Sequence, residues 1–163
     1  MEINDIEKLN VVWQRVMPES EETVVNISEA PENDTATLER FIQNEFNGAE
    51  SYAALARRCR RPDRARLFSA LAEDEREHVA RLQTAYFLLT GESFMPKAEM
   101  SNEQLNMTTV RQKYLNELAD EKAYKTAAEK TKNPRLRAVY EANARDEKRH
   151  ADTLEKLIAE MMR

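Results

Sequence analysis

Asp74-Glu75-Arg76-Glu77-His78 and Asp146-Glu147-Lys148-Arg149-His150 are two versions of one motif in a chain of 163 residues. In each, Glu and His are three positions apart, so on a helix both side chains leave the same face. These are the only two histidines. With 23 glutamates in the chain, a given histidine has a Glu three positions earlier by chance about one time in seven. Two such pairs at matched positions point to a duplicated unit rather than a solvated face.

The duplication extends outward at the same offset, the one that carries Asp74 onto Asp146. Glu45 falls on Glu117, Tyr52 on Tyr124 and Pro62 on Pro134, and Asn44, Ala56, Ala70, Ala72 and Leu82 meet identities at Asn116, Ala128, Ala142, Ala144 and Leu154. The body is two copies of one helical hairpin, 38–89 and 110–161. Four helices are expected: about 36–58, 62–90, 109–131, and 134 nearly to 163. Pro62 and Pro134 suit a first helical turn, and Gly91 suits a C-terminal cap. Residues 91–106 are long enough to return along the bundle, which makes the second and third helices parallel.

On the second helix Leu67, Leu71, Asp74, Glu75, His78, Leu82, Tyr86 and Leu89 share one stripe. Carboxylates and a histidine thus occupy core positions, where an unpaired charge costs several kcal/mol. Glu45 and Glu117 precede Glu75 and Glu147 by the same interval, which brings each to the depth of its partner in the hairpin. Four inward glutamates and two neutral imidazoles cannot compensate one another. Two divalent cations would cancel the charge, and oxygen and imidazole donors without thiolate suit iron or manganese, with zinc compatible.

Composition narrows the alternatives. Two glycines leave little for β-hairpin turns or phosphate-cradling loops. No run of 18 apolar residues offers a membrane span, and no secretory signal opens the chain. Cys59 is the single cysteine, which excludes an internal disulfide and fits a reducing, cytoplasmic setting. A net charge of −5 argues against general nucleic-acid binding. The arginines at 57, 58, 60, 61, 64 and 66 form either a phosphate patch or a solvated, capping bundle end. Lys130, Lys132, Arg135 and Arg137 are their counterparts, expected at the opposite end. Residues 1–34 form a tail, and 35–163 the bundle. In the tail, Ile6, Leu9, Trp13 and Val16 recur at helical spacing up to Pro18. Val24, Val25 and Ile27 give an extended character to a stretch with acidic residues and no Lys or Arg. The tail either docks on the body or serves as a partner peptide.

The combined pattern resembles the ferritin-like di-iron carboxylate proteins, above all rubrerythrins and bacterioferritins. Their ligands are one Glu from each of two helices and Glu-x-x-His from each of the other two. The resemblance covers roughly residues 36–162. It implies an all-α, ferritin-like four-helix bundle of two duplicated hairpins joined by a long crossover. It also implies that Glu75 and Glu147 bridge two iron ions (manganese or a mixed pair fits too). Glu45 with His78 would complete one metal, and Glu117 with His150 the other. Asp74 and Asp146 would each hold the other half's histidine, unless they are surface aspartates. Tyr52 and Tyr124 would bond the carboxylates or donate an electron, unless they only pack.

Rubrerythrins carry a further Glu three residues after the third-helix ligand. Here Asp120 stands there, and Glu121 follows. Glu121 is expected to face closer to the site, as an extra ligand or as a polar residue at its rim. Arg76 replaces the haem-binding methionine of bacterioferritins, so no haem is expected. No four-cysteine rubredoxin domain follows, so the electron donor is expected to be external. The resemblance implies reduction of hydrogen peroxide or dioxygen, with ferroxidase or iron-handling activity and a metal-stabilised structural bundle as the alternatives, in a homodimer or larger homo-oligomer with no membrane.

Overall fold

The computed structural model describes residues 32–98 and 103–163. Four helices make up the fold among them: α1 (Glu32–Arg58), α2 (Pro62–Thr90), α3 (Met107–Lys130) and α4 (Pro134–Met161). The expected amphipathic segment of residues 6–16 lies outside the described residues.

Local chemistry sets most of the boundaries. Pro62 and Pro134 sit in the first turns of α2 and α4. Gly91 ends α2 at φ 76°, a left-handed conformation, and its N–H donates to the Phe87 carbonyl at 2.8 Å. Asn106 opens α3 by accepting from the Thr109 N–H at 2.9 Å, which starts that helix slightly earlier than expected. Asn133 accepts from the N–H groups of Arg135 and Leu136 and opens α4. α1 also begins earlier than expected, at Glu32. Buried Asp34 in its first turn accepts from the Thr131 hydroxyl at 2.9 Å, tying the turn to the α3–α4 connection.

Cross-helix contacts establish the topology. His150 meets Asp74, His78 meets Asp146, and Arg81 meets Asn143, so α2 and α4 run antiparallel. Tyr52 bonds Glu117 and Tyr124 bonds Glu45, so α1 and α3 are antiparallel too. With α1 and α2 forming a hairpin, α2 and α3 must be parallel, as the crossover length implied. The crossover follows α1: Lys97 N–H donates to Gln43 Oε1 at 2.9 Å, Glu103 accepts from Ser51, and Arg58 donates to the Glu103 carbonyl at 2.7 Å. The halves are thus related by an approximate twofold axis, and the two hairpin loops lie at opposite ends. Arg137 donates to the carbonyls of Ala128 and Thr131, capping the end of α3.

The apolar core is split in two. One cluster, including Leu38, Phe41, Ile42, Leu82, Tyr124 and Tyr140, lies toward the start of α1. The other, including Tyr52, Leu55, Phe68, Leu71, Val110 and Leu154, lies toward its end. Each buried Leu contributes about 1.5–3 kcal/mol by leaving water. Between the clusters sits a layer of charged side chains. No described helix is long and apolar enough to cross a membrane.

Candidate metal centre

Each of the six expected ligands reaches this layer from the middle of its helix. Glu45, Glu75, His78, Glu117, Glu147 and His150 are all buried, none more than 5% exposed. They divide into two overlapping groups, Glu45–Glu75–His78–Glu147 and Glu75–Glu117–Glu147–His150. Within each group, one donor atom per residue lies within 4.8 Å of the others. Glu75 and Glu147 are common to both groups. The His78 Nδ1 atom is 3.1 Å from Glu45, 3.6 Å from Glu75 and 3.0 Å from Glu147. The His150 Nδ1 atom is 3.3 Å from Glu75, 3.5 Å from Glu117 and 3.3 Å from Glu147. The two imidazoles stack across the pseudo-axis with centroids 5.6 Å apart.

The outer residues follow the duplicated pattern. Each histidine turns Nε2 toward the aspartate of the other half: His78 to Asp146 at 3.3 Å, His150 to Asp74 at 3.1 Å. In the neutral ring an N–H held there would leave each Nδ1 lone pair facing the glutamates. Tyr52 donates to Glu117 and Tyr124 to Glu45, again across halves. Gly48 faces the Glu75 side chain, and a Cβ there would meet Oε2 at 3.4 Å, an ordinary contact.

The donor set fits divalent metal. Glu147 Oε1 and His150 Nδ1 are buried and make no hydrogen bond, although oppositely natured atoms lie nearby. Two such unpartnered atoms facing a shared centre are what a cation would use. Burial, and then the neighbouring Glu75, push the Glu45 carboxyl up to about 8. Burial and Glu147 push Glu117 up to about 7, although the neighbouring His150 imidazole opposes them. Burial alone would lower both histidines. For His78 it is outweighed by Asp146 and the glutamates, which hold its pKa well above the ordinary range. For His150 it is outweighed by Glu117, Glu147 and Glu75, which raise it to about 12. The layer therefore needs cations or protons to balance its carboxylates.

Asp120 and Glu121 exchange their expected places. Glu121 belongs to neither group, and its carboxylate pairs with Lys125 one turn along. Asp120 instead lines the cavity, where burial and then Glu45 and Glu117 raise its pKa to about 7. The reason is lateral. The face of α3 that meets α1 carries Lys113, Glu117, Asp120 and Tyr124, and Glu121 lies off that stripe. This cavity of about 570 Å³ opens between α1 and α3 and reaches Glu45, Glu75 and Glu117. At its rim the buried Lys113 ammonium pairs with Glu103 at 3.2 Å and lies 5.3 Å from the centroid of the Tyr52 ring.

Several contributors escaped the sequence reading. Arg81 donates to Asn143 at 2.9 Å and to Asp146 at 3.1 Å. Arg149 pairs with Asp74 at 3.0 Å and with Asp146 at 2.9 Å. Their repeat counterparts are Thr153 and Glu77, so a comparison of halves hides them. Lys113 breaks the repeat as well, standing where the first half has Phe41.

Known proteins support this picture. An uncharacterized protein of Bacillus subtilis, YhjR, is 27% identical over 114 residues, spanning 70% of this chain and 79% of its own. The solved structure of a hypothetical protein from Pyrococcus furiosus superposes with a TM-score of 0.71 at 20% identity, over 79% of this chain and 90% of that one, which is a likeness of fold. The rubrerythrin family model matches residues 36–116 and 110–163. That match spans both hairpins and every residue of the buried carboxylate–histidine layer, and the chain belongs to the rubrerythrin family.

Proposed function

We propose that this chain is a di-iron oxidoreductase that reduces hydrogen peroxide or dioxygen with electrons from an external donor. The observation that carries the reading is the pair of overlapping, buried Glu₃His groups sharing Glu75 and Glu147. Iron bound there would supply two electrons per peroxide, which with two protons gives two waters, and the donor would return them.

This chain's residues have distinct parts in that reading. Glu75 and Glu147, common to both groups, would be shared by the two ions, and Glu45 with His78, and Glu117 with His150, would complete the sets that hold them. Asp146 and Asp74 hold the Nε2 protons and so keep each Nδ1 lone pair directed inward. Tyr52 and Tyr124 hold the terminal carboxylates by hydrogen bonds and stand within proton-transfer reach of them. The apolar clusters close the layer above and below, so access is confined to the side. The α1–α3 cavity admits a small oxidant.

The test is reconstitution with Fe(II) under anaerobic conditions, followed by stopped-flow mixing with peroxide and, separately, with oxygen. Two irons per chain, oxidised faster by peroxide and recovered by a donor, support the reading. Uptake of a large ferric core from excess Fe(II) in air, read by gel filtration with iron detection, would favour ferroxidase activity instead. No bound metal after reconstitution would remove both.

A further inference from the structure

A second cavity lies on the α1–α3 side of the bundle, and only those two helices line it. Its volume is about 540 Å³, and it runs between Asp34, Thr37 and Arg40 on α1 and the stretch from Ala119 to Lys130 on α3. Ala119, Ala123 and Ala127 recur every fourth residue along its α3 wall, so they share one face. One turn before them, on that same face, Leu115 is 55% exposed. Side chains as small as alanine leave a channel that bulky apolar groups can fill. The rim of the channel is cationic. Arg40, Lys122 and Lys130 are exposed and form no ion pair among the described residues.

The chain that precedes α1 has the complementary properties. Residues 1–31 hold seven of the 30 acidic side chains and two of the 25 basic ones, which is the whole of the net charge of −5. Ile6, Leu9, Trp13 and Val16 would form the apolar stripe of a helix over residues 6–16. Such a helix is about 16 Å long, and Ala119 to Lys130 spans about 16 Å of α3. The attachment point fits as well. α1 begins at Glu32, and Asp34 both lines the cavity and accepts from the Thr131 hydroxyl just past the end of α3. The preceding chain therefore departs from the Lys130 end of the cavity. Residues 17–31 reach about 50 Å when extended, enough to bring a helix over 6–16 alongside any part of that stretch. A second copy offering this same face would set cation against cation, whereas the tether holds the acidic segment at a high effective concentration.

We infer that residues 6–16 of the same chain dock as a helix in the α1–α3 groove beside Ala119–Lys130, with Ile6, Leu9, Trp13 and Val16 against its alanines.

The experiment reads Trp13, the single tryptophan, in the full chain. Its emission should lie to the blue of that of the urea-unfolded chain, and acrylamide should quench it several-fold less. Ala123→Asp, which puts a charge on the floor of the groove, should remove that protection. Ala70→Asp, on the exposed side of α2, should leave it intact. Ala123 also packs against the core, so a second variant with exposed changes stands beside it. Lys122→Glu with Lys130→Glu reverses the rim and should raise quenching several-fold while the circular dichroism of the bundle is unchanged. Amide exchange at 6–16 should be slowed in the parent and fast in that double variant. Quenching of the parent equal to that of the unfolded chain would overturn the docking. So would protection that survives the reversed rim, which would place Trp13 elsewhere. Protection that disappears on dilution, together with a dimer in sedimentation, would overturn the same-chain assignment and make a second copy the occupant.

Discussion

The two hairpins present the same chemistry to the centre of the bundle and different chemistry to its α1–α3 side. Facing inward, Glu45, Tyr52, Asp74, Glu75 and His78 repeat without change as Glu117, Tyr124, Asp146, Glu147 and His150. On the lateral stripe, Phe41 becomes Lys113, Gly48 becomes Asp120 and Ser51 becomes Ala123. Phe41 stacks on Tyr124 at 4.2 Å and seals the half it belongs to, whereas Lys113 stands over Tyr52 beside an open cavity. A symmetric ligand layer has therefore been given a one-sided approach. The inward carboxylates and imidazoles are the same in both copies, while the wall around them differs.

The largest expected effect tests the symmetry of the layer. Glu75→Ala and Glu147→Ala should each abolish binding of both ions, to closely matching extents, because each carboxylate belongs to both groups. Elemental analysis after Fe(II) reconstitution reads this. If one variant retained two ions, the equivalence of the halves would be broken.

The pH dependence follows from the raised carboxyls. Folding lifts Glu45 from 4.5 to about 8 and Glu117 from 4.5 to about 7. Without metal, the native state holds protons that the unfolded chain has lost. Their stabilisation is complete below about pH 4.5 and fades as pH rises through 7 and then 8. Chelator-treated protein should therefore melt at progressively lower temperature between pH 5 and pH 9. Metal competes with the same protons, so Fe(II) affinity should rise over that range, and the two profiles should cross. A melting temperature of chelated protein that increased with pH would contradict the burial argument.

The aspartates sharpen the comparison between halves. Asp74→Asn and Asp146→Asn should each weaken metal binding about 10–100-fold. Asp146 should show the larger loss. Its side chain is 18% exposed against 36% for Asp74, it is also held by Arg81, and its hydrogen bond with His78 keeps its carboxyl well below the ordinary range. Competition with a metallochromic chelator measures the ratio, and equal losses would mean that Arg81 adds nothing.

The smallest effect is expected at the tyrosines. Tyr52→Phe and Tyr124→Phe each remove a donor from a buried carboxylate, a cost of about 1–3 kcal/mol in the metal-depleted protein. Urea denaturation checks it. Tyr124 is stacked on Phe41 away from the cavity lining and should show the fuller cost, whereas Tyr52 itself lines the cavity, where water can take the place of its hydroxyl.

Much of the centre was legible before any coordinates, for a physical reason. A Glu-x-x-His pair is aligned by helical geometry alone, and charged residues at core positions announce that something must balance them. The repeat then supplied Glu45 and Glu117, whose spacing places them at the depth of the Glu-x-x-His pairs. Asp120 and Glu121 show where such reading stops. On an ideal helix they fall on opposite sides of Glu117, and nothing local states which way the neighbouring helix lies.

The sequence by itself determined the four helices, the duplication and the six-residue donor set, because these rest on periodicity, capping chemistry and charge balance within short stretches. Only the tertiary structure decided that the α1–α3 side stays open, that Asp120 faces it, and that Arg81 and Arg149 brace the aspartates. Those features depend on lateral packing between segments far apart in the chain, where a helix rotation of one position exchanges one neighbour for another.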